Sequence, residues 1–325
     1  MNPVLQDYQR LVHEAGHVLL RDWNCLRVTG TDRASFLNNL CTNEVLKLQP
    51  GEGCEAFFTD VKGHTLGHVM LLCRPDEILL WTAPGQAESL MRHLDKYIIR
   101  EDVALTDLTS DAQLVAVIGP GVWQVIGSDS ADFPEPLSSR EVSVGDVTAI
   151  AARSDWFGPA AVVLQVASES VRVLSDWLEQ KGAKAADAAA LEVLRVESGT
   201  PLFGVDFDAH NLPQELNRNE RAIHFQKGCY LGQETVARID ALGHVNKLLV
   251  GVRFAAKELP PVGTALRAAD KEVGKVTSSV WSPRANAPLA LAMVRRGTNA
   301  PGATLDSNAG PAEVISLPPL LDVER

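Results

Sequence analysis

Eight consecutive residues of this 325-residue chain combine a cation, a thiol, an aromatic ring, two glycines and an amide–carboxylate pair. They are Lys227-Gly228-Cys229-Tyr230-Leu231-Gly232-Gln233-Glu234. A hydrophobic core constrains mainly the size and polarity of its side chains, so a segment this specific indicates chemistry. Cys229 is the candidate reactive residue, acting as a nucleophile, a redox switch or a transient metal ligand.

The residues on either side of Cys229 predict a strand that turns into a helix. Residues 223–226 alternate as in a short strand, and Gly228 is the predicted turn. Cys229 would then lie near the helix N-terminus, where unpaired N–H groups and the neighbouring Lys227 charge favour a thiolate. The alternative is a buried thiol that fills a gap beneath the turn. The helical spacing is that of Leu231, Thr235, Val236 and Ile239.

The patterning of the whole chain predicts a mixed α+β protein. Short strands separated by Pro/Gly turns after about Asn246 predict a small all-β barrel or sandwich. We therefore divide the chain into an α+β region over 1–245, with two intertwined subdomains, and a barrel-like domain over 246–325. Within the first region, strands are predicted at 26–28, 56–58, 69–72, 78–81, 115–118 and 162–166, and helices at 31–40, 86–98, 171–178 and 188–199.

Composition and charge narrow the function classes. The formal net charge is −11 and no Lys/Arg-rich run occurs, which argues against nucleic-acid or membrane-surface binding. The first ten residues have no long apolar segment and no basic stretch, which argues against a signal peptide, and no apolar segment is long enough to cross a bilayer. Five scattered cysteines without a C-x-x-C pair argue against a disulfide framework or a resident metal site, and favour the cytoplasm.

Two short motifs match by chance. His13-Glu14-Ala15-Gly16-His17 fits H-E-x-x-H, but a glycine lies inside it and strand-like sequence follows at once. Gly119-Pro120-Gly121-Val122 lacks the rest of a phosphate-binding signature and is interpreted as a turn. Neither motif is expected to carry the function.

Three segments together resemble the YgfZ-type folate-binding proteins, which share a fold with the T-protein of the glycine cleavage system. The segment K-G-C-Y-x-G-Q-E is filled at every named position, and the resemblance covers nearly the whole chain. It implies a T-protein-like, multi-layer folate-binding region followed by the small barrel. The other two segments are Gly30-Thr31-Asp32-Arg33 with Phe36-Leu37 and Thr42-Asn43, and the run Leu194 to Gly204.

The resemblance implies a tetrahydrofolate site in the second half of the α+β region. A carboxylate suits the paired donors of the pterin edge, and Glu215 with Asn217 is the favoured pair. Phe203, Phe207 and Tyr230 are candidate walls, and Arg221 or Arg238 could meet the glutamyl tail. The full set of candidate cofactor-binding residues is Glu197, Asp206, Glu215, Asn217, Lys227, Gly228, Tyr230, Gln233, Glu234 and Arg238.

One departure from the T-protein bears on activity. Gly67-His68 stands where the transferase has an Asp-Asp pair, and the transferase lacks the K-G-C-Y-x-G-Q-E segment. The favoured interpretation is a folate-dependent factor for assembly or repair of iron–sulfur clusters, acting on cluster-assembly proteins or client enzymes that modify tRNA. The alternatives are an aminomethyl- or methyltransferase using His64 or His68, and a folate-binding regulator without chemistry.

Overall fold

Eight α-helices are present in the residues that the computed structural model describes, which are 2–158 and 160–318. Most are amphipathic and bury one face, as the 3.6-residue spacing of their apolar side chains requires. The helices are α1 (Pro3–His13), α2 (Arg33–Asn38), α3 (Ala87–Asp95), α4 (Val122–Ile126), α5 (Val171–Gln180), α6 (Ala188–Glu197), α7 (Asn219–Ala222) and α8 (Gln233–Leu242).

Seventeen β-strands account for the rest of the regular structure in the same residues. Those of the first 245 residues are β1 (Gly16–Leu20), β2 (Asn24–Thr29), β3 (Gly53–Thr59), β4 (Thr65–Cys73), β5 (Glu77–Thr82), β6 (Ala104–Asp107), β7 (Ala112–Ile118), β8 (Ser139–Val144), β9 (Val147–Ser154), β10 (Ala161–Ala167) and β11 (Lys184–Ala185). The remainder are β12 (Lys247–Phe254), β13 (Ala265–Ala268), β14 (Lys271–Ser282), β15 (Ala287–Arg295), β16 (Thr304–Leu305) and β17 (Ala312–Ile315).

The strands form three sheets. The first has the order β11-β1-β7-β10-β9-β8, and the second has the order β3-β4-β5-β2-β6. The third, in the order β13-β14-β15-β12-β17-β16, is antiparallel and nearly closed into a barrel. The predicted fold class, a T-protein-like α+β region followed by a C-terminal barrel, is confirmed.

The pleat of the second sheet decides which side chains reach the centre of the molecule. Along β4, Val69 and Leu71 pack with α2 and α3, while Met70 and Leu72 pack with the first sheet and the barrel. Alternation places His68 on the same face as Met70, and the same rule places Glu55 and Phe57 of β3 there. Two ionisable side chains are therefore directed into the apolar core.

Most predicted elements are present, with one local error beside the cysteine motif. Residues 223–226 do not form a strand, because Ile223 caps the end of α7 and the chain turns at Phe225 and Gln226. The following helix begins only at Gln233, after Gly232 in the left-handed conformation, so Cys229 precedes its first turn. The barrel begins at Lys247, and the last predicted residues, 319–325, lie outside the described part of the chain.

Candidate functional site

Lys227 anchors the cysteine segment to the chain that follows α2. Its side chain is buried, and its ammonium donates to the carbonyls of Asn38, Cys41 and Asn43 at 2.7, 2.9 and 2.5 Å. The ammonium also lies 5.2 Å from the centre of the Tyr230 ring. Burial lowers the pKa of Lys227 below its usual value. The lysine therefore fixes the loop and is directed inward.

The other end of the segment is fixed by the turn between β3 and β4. The Thr59 hydroxyl donates to the carbonyl of Leu231 at 2.6 Å, and the Leu231 N–H donates to Asn39. Gly232 has φ +81°, and a Cβ there would lie 2.4 Å from the carbonyl oxygen of Asp60. Only glycine can adopt this backbone conformation and also leave room for the Asp60 carbonyl.

Cys229 is exposed, between two buried anchors, Lys227 and Tyr230. Of the other cysteines, Cys25, Cys41 and Cys73 are buried and Cys54 is partly buried. Burial raises the pKa of Cys25 to about 12 and raises the pKa of the other three. Cys229 is therefore the cysteine whose thiol is most accessible to a second molecule.

A network of charged side chains occupies the centre of the molecule. Glu55 accepts from Arg218 Nε at 2.7 Å and Nη2 at 2.5 Å, and from Trp156 Nε1 at 3.0 Å. His68 Nε2 lies 2.7 Å from Glu55 Oε1. Burial opposes ionisation of Glu55, but Arg218 and His68 outweigh it and hold the pKa of this carboxyl well below its usual range.

The His68 ring is clamped between two aromatic side chains. Its centre lies 4.7 Å from that of Phe57 and 4.5 Å from that of Trp156, and both pairs are stacked at 27°. Phe207 packs edge-on at 6.1 Å. This clamp and the bond to Glu55 leave the imidazole a single orientation.

A cavity of about 430 Å³ lies where α1, α6 and the first sheet meet the barrel. Its walls include Leu11, Phe157 and Leu194, and its polar groups include Tyr8 and Glu197. The Glu197 carboxylate accepts from Tyr8 at 2.9 Å and from Ser282 at 2.5 Å. Desolvation raises the pKa of Glu197. A mainly apolar cavity of this size with a few fixed polar groups is suited to a small organic ligand.

Two other predicted carboxylates lie away from this cavity. Asp206 binds Arg195 at 2.8 Å and accepts from the hydroxyls of Thr277 and Ser278, so it ties α6 to the barrel. Glu215 accepts from the Asn211 amide at 2.8 Å and from the Leu212 N–H at 3.3 Å. Its Oε2 atom also lies 3.5 Å from the ammonium of Lys247.

The remaining predicted residues are divided between loop and helix surfaces. Asn217 is exposed with φ +56°, and Gly228, Glu234 and Arg238 are exposed. The Gln233 side chain accepts from the N–H of Tyr230 at 3.3 Å and helps to hold the loop. Arg221 is ion-paired with Asp155, and Phe203 and Phe207 pack against each other. The structure brings the cysteine segment together as one unit but spreads the candidate folate contacts over three places.

Sequence reasoning missed Glu55, Arg218 and Trp156. The one available signal was a lone carboxylate in the apolar run from Cys54 to Phe58, because a buried carboxylate requires a partner. Its partner, Arg218, is 163 residues away, so spacing could not reveal it.

Two models of known protein families match the two parts of this chain. Residues 2–227 match the model of the GCVT N-terminal domain, and residues 247–322 match that of the glycine cleavage T-protein C-terminal barrel domain. The chain belongs to the GCVT family. Within that family, its fold is similar to glycine cleavage system aminomethyltransferase T from Bartonella henselae, with a TM-score of 0.87 at 18% identity over 97% of this chain and 89% of that one.

Two sequence relatives carry different names. The chain is 27% identical to the putative chloroplastic transferase At1g60990 of Arabidopsis thaliana, over 91% of its own length and 69% of the relative's. It is also 27% identical to the tRNA-modifying protein YgfZ of Yersinia enterocolitica, over 77% and 74% of the two lengths. No helix in the described residues is long and apolar enough to span a membrane.

Proposed function

We propose that this protein binds tetrahydrofolate or a one-carbon derivative and supports the assembly or repair of iron–sulfur clusters through Cys229. The enzymes that depend on those clusters would include tRNA-modifying enzymes. The observation that carries the proposal is an exposed thiol on a loop fixed at both ends, in a chain whose other thiols are buried or partly buried. A preformed, outward-facing thiol is suited to reaction with a second protein.

The loop geometry supports a role in which Cys229 meets a partner. Lys227 and Gly232 hold the backbone on either side without covering the thiol. Pre-ordering of this kind removes the entropic cost of fixing the loop during each encounter. The proposed partners are iron–sulfur assembly proteins or client iron–sulfur enzymes, and the proposed location is the cytoplasm.

The cavity beside Glu197 is the proposed folate site. Its carboxylate can accept from the paired donors of a pterin edge, and Phe157 offers an aromatic wall. Calorimetry with tetrahydrofolate tests this directly. We expect Glu197→Gln to weaken binding about tenfold, because an ionic acceptor is replaced by a neutral one, while Glu215→Gln has the smaller effect. The opposite ranking would place the pterin near Glu215 and Asn217 instead.

The central experiment measures aconitase activity in cells that lack their own family member. Wild-type protein is compared with Cys229→Ala, and Cys54→Ala serves as the matched control because that thiol is only partly exposed. Rescue by the wild type and Cys54→Ala but not by Cys229→Ala supports the proposal. Equal rescue by all three proteins would reduce Cys229 to a structural residue, and rescue by none would argue against cluster maturation.

The second candidate is folate-dependent aminomethyl or methyl transfer. Relatives named aminomethyltransferase favour it, such as the probable aminomethyltransferase of Natronomonas pharaonis, 27% identical over 93% of this chain. Gly67 and His68 weigh against an unchanged mechanism, because neither residue has a carboxylate, and a side chain at Gly67 would require the Leu90 side chain to move. Sustained product formation from tetrahydrofolate and an aminomethyl donor would favour the transferase.

A further inference from the structure

We propose that a pocket at the C-terminal end of α8 is a second ligand site, which binds a free α-amino acid with an aliphatic side chain. The pocket has a volume of about 370 Å³ and is called the α8 pocket below. It shares no lining residue with the cavity beside Glu197, and the inference depends neither on folate binding nor on Cys229. The residues of the α8 pocket that matter for binding are Gln214, Asn219, Ile239, Asp240, Leu248 and Arg296.

A buried amide oxygen on the wall of the α8 pocket requires a hydrogen-bond donor. Gln214 is only 4% exposed, and its Nε2 atom donates to the carbonyl of Val236 at 2.7 Å. A carbonyl can only accept, so this bond fixes which end of the Gln214 amide is the nitrogen. Gln214 Oε1 is then enclosed, with no hydrogen-bond partner among the described residues. An enclosed acceptor of this kind is unfavourable until a donor reaches it.

Asn219 adds a second acceptor of the same kind. Its Oδ1 atom is also enclosed and has no partner in the part of the chain that the structure describes, and the residue lines the same pocket. Asp240, in the last turn of α8, contributes an exposed carboxylate. The C-terminal end of α8 also carries a partial negative charge from its aligned peptide groups. The α8 pocket is therefore rich in acceptors and suits a cationic donor.

A protonated primary amine matches these acceptors. It has three N–H donors and one positive charge, and the pocket offers the amide oxygens of Gln214 and Asn219 and the carboxylate of Asp240. A calcium ion is matched less well, because it takes roughly six to eight oxygen ligands. Among the described residues, no group of three or more acidic, histidine or cysteine side chains could hold a metal ion.

Arg296 supplies the opposite charge. It follows β15 directly, lines the α8 pocket and is exposed. Its backbone N–H donates to the carbonyl of Asn246 at 2.9 Å, which holds this segment against the chain that follows α8. Neither Arg296 nor Asp240 forms a salt bridge with another described residue, so both charges are available to a ligand. A ligand carboxylate can bind the guanidinium in bidentate fashion, and the pocket is thereby suited to a zwitterion.

The apolar residues of the pocket determine which side chain the ligand should have. Ile239, Val245 and Leu248 are half-buried residues of its lining, and all three are aliphatic. Covering them with an aliphatic side chain contributes about 25 cal/mol for each Å² of apolar area removed from water. The volume of the pocket restricts the ligand to a small one. Leucine and its isomers meet these requirements, whereas glycine would leave the aliphatic residues uncovered.

Calorimetry with L-leucine on the full-length protein is the first test. We expect a Kd of about 1 mM or lower. Isoamylamine, which lacks the carboxylate of leucine, and isocaproate, which lacks its ammonium group, should each bind about tenfold more weakly. Absence of binding to the folded wild type at about 10 mM leucine overturns the proposal. Equal binding of all three compounds overturns the recognition of a zwitterion.

Variants assign the two charges of the ligand to the two sides of the pocket. Arg296→Gln should weaken leucine binding about tenfold and leave isoamylamine binding unchanged, because that amine has no carboxylate. Arg295→Gln is the matched control, since Arg295 is also exposed but does not line the pocket. Asp240→Asn and Gln214→Met should weaken the binding of both compounds, and Asp240→Asn remains informative if Gln214→Met does not fold. Unchanged leucine affinity in both Arg296→Gln and Asp240→Asn overturns the proposal.

Hydrogen exchange and competition then locate the site. Leucine should slow amide exchange at residues 239–245, which end α8 and follow it, and should not affect the distant strand β13. Binding without slower exchange at 239–245 would place the amino acid elsewhere and overturn the proposal. Displacement of leucine by tetrahydrofolate would make the pocket part of the folate site and overturn a separate one. Cys229→Ala should bind leucine like the wild type, so failure of the maturation role would leave this site intact.

Discussion

Two regions of this protein each hold a buried cation, and they use it in opposite ways. Arg218 pairs with a carboxylate in the core, where Glu55, His68 and Trp156 all converge. Lys227 bonds three backbone carbonyls near the surface, and the residue two positions later, Cys229, faces solvent. The first cation neutralises a buried charge, and the second gives a loop its shape.

This difference predicts how substitutions in each region would affect the protein. Removal of Glu55 or Arg218 from the central network leaves the other charge buried without a partner, which lowers the free energy of unfolding. Removal of an anchor from the cysteine loop exposes carbonyls that water can reach once the loop opens. Stability should therefore depend mainly on the network, and the presentation of the thiol mainly on the loop.

The largest effect is expected for Arg218→Leu. The Glu55 carboxylate would lose two of its hydrogen bonds in the core, and we expect the free energy of unfolding to fall by about 3–5 kcal/mol. Urea denaturation measures the change. The double variant Glu55→Gln/Arg218→Leu should recover part of the loss. If the double variant were less stable than Arg218→Leu, the unpaired Glu55 carboxylate would not be the main cause of the lost stability.

Gly232→Ala should be next. A Cβ would meet the Asp60 carbonyl at 2.4 Å while φ stays at +81°, and we expect a loss of about 3 kcal/mol. Gly243→Ala is the matched control, with φ +69° and no atom within 4 Å, and should cost about 1 kcal/mol. Thermal unfolding compares them, and equal losses would mean that backbone conformation alone matters at Gly232.

Lys227→Met should cost about 2 kcal/mol, because three charge-assisted hydrogen bonds are lost while the aliphatic stem is kept. The alkylation rate of Cys229 should change at the same time, since its loop loses an anchor. Lys62→Met, on the exposed turn, is the control and should alter neither quantity. An unchanged alkylation rate in Lys227→Met would contradict the anchoring role.

The pH dependence of stability should have opposite signs at Glu197 and Glu55. Desolvation raises the pKa of Glu197, so the native state binds more protons there and this group lowers stability as pH rises through the raised value. The pKa of Glu55 is lowered despite burial, so its contribution is lost as pH falls through that low value. The gain in the free energy of unfolding of Glu197→Gln over the wild type should be larger at neutral pH than at about pH 4, as measured by chemical denaturation.

Cys229→Ala should change the free energy of unfolding by less than about 0.5 kcal/mol, because the thiol is exposed. Circular dichroism during heating is sufficient to test this. A loss of more than about 1 kcal/mol would indicate that the side chain packs against a neighbour. The small effect is what makes this variant a clean probe of function.

Sequence patterning predicted the elements better than it predicted the contacts between them. The strands from 56 to 81 and the change to a barrel near residue 246 follow local periodicity, so they could be predicted. Residues 223–226 alternate like a strand, yet Asn219 to Ala222 form a helix and His224 bonds Thr42 instead of a sheet neighbour. Tertiary contacts overrode a weak local signal there.

The same limit applies to the site. The cysteine segment could be found because its residues are consecutive, and its specific composition distinguishes it from core sequence. Lys227 was expected to act on the thiol, but its three acceptors lie at positions 38–43, which local sequence does not reveal. Glu55, His68 and Arg218 meet from three separate segments, so only the fold shows that they form a network.

The contact between Gly232 and the turn at Asp60–Gly63 has a consequence for assembly of the protein on the ribosome. The supports for the cysteine loop, at residues 38–43 and 59–63, are made early, and the loop itself emerges about 170 residues later. A nascent chain that stops before residue 232 has no ordered thiol loop, however well its first strands pair. Presentation of the thiol is thus a late event in synthesis, and truncated chains should not compete with the finished protein for the partners proposed above.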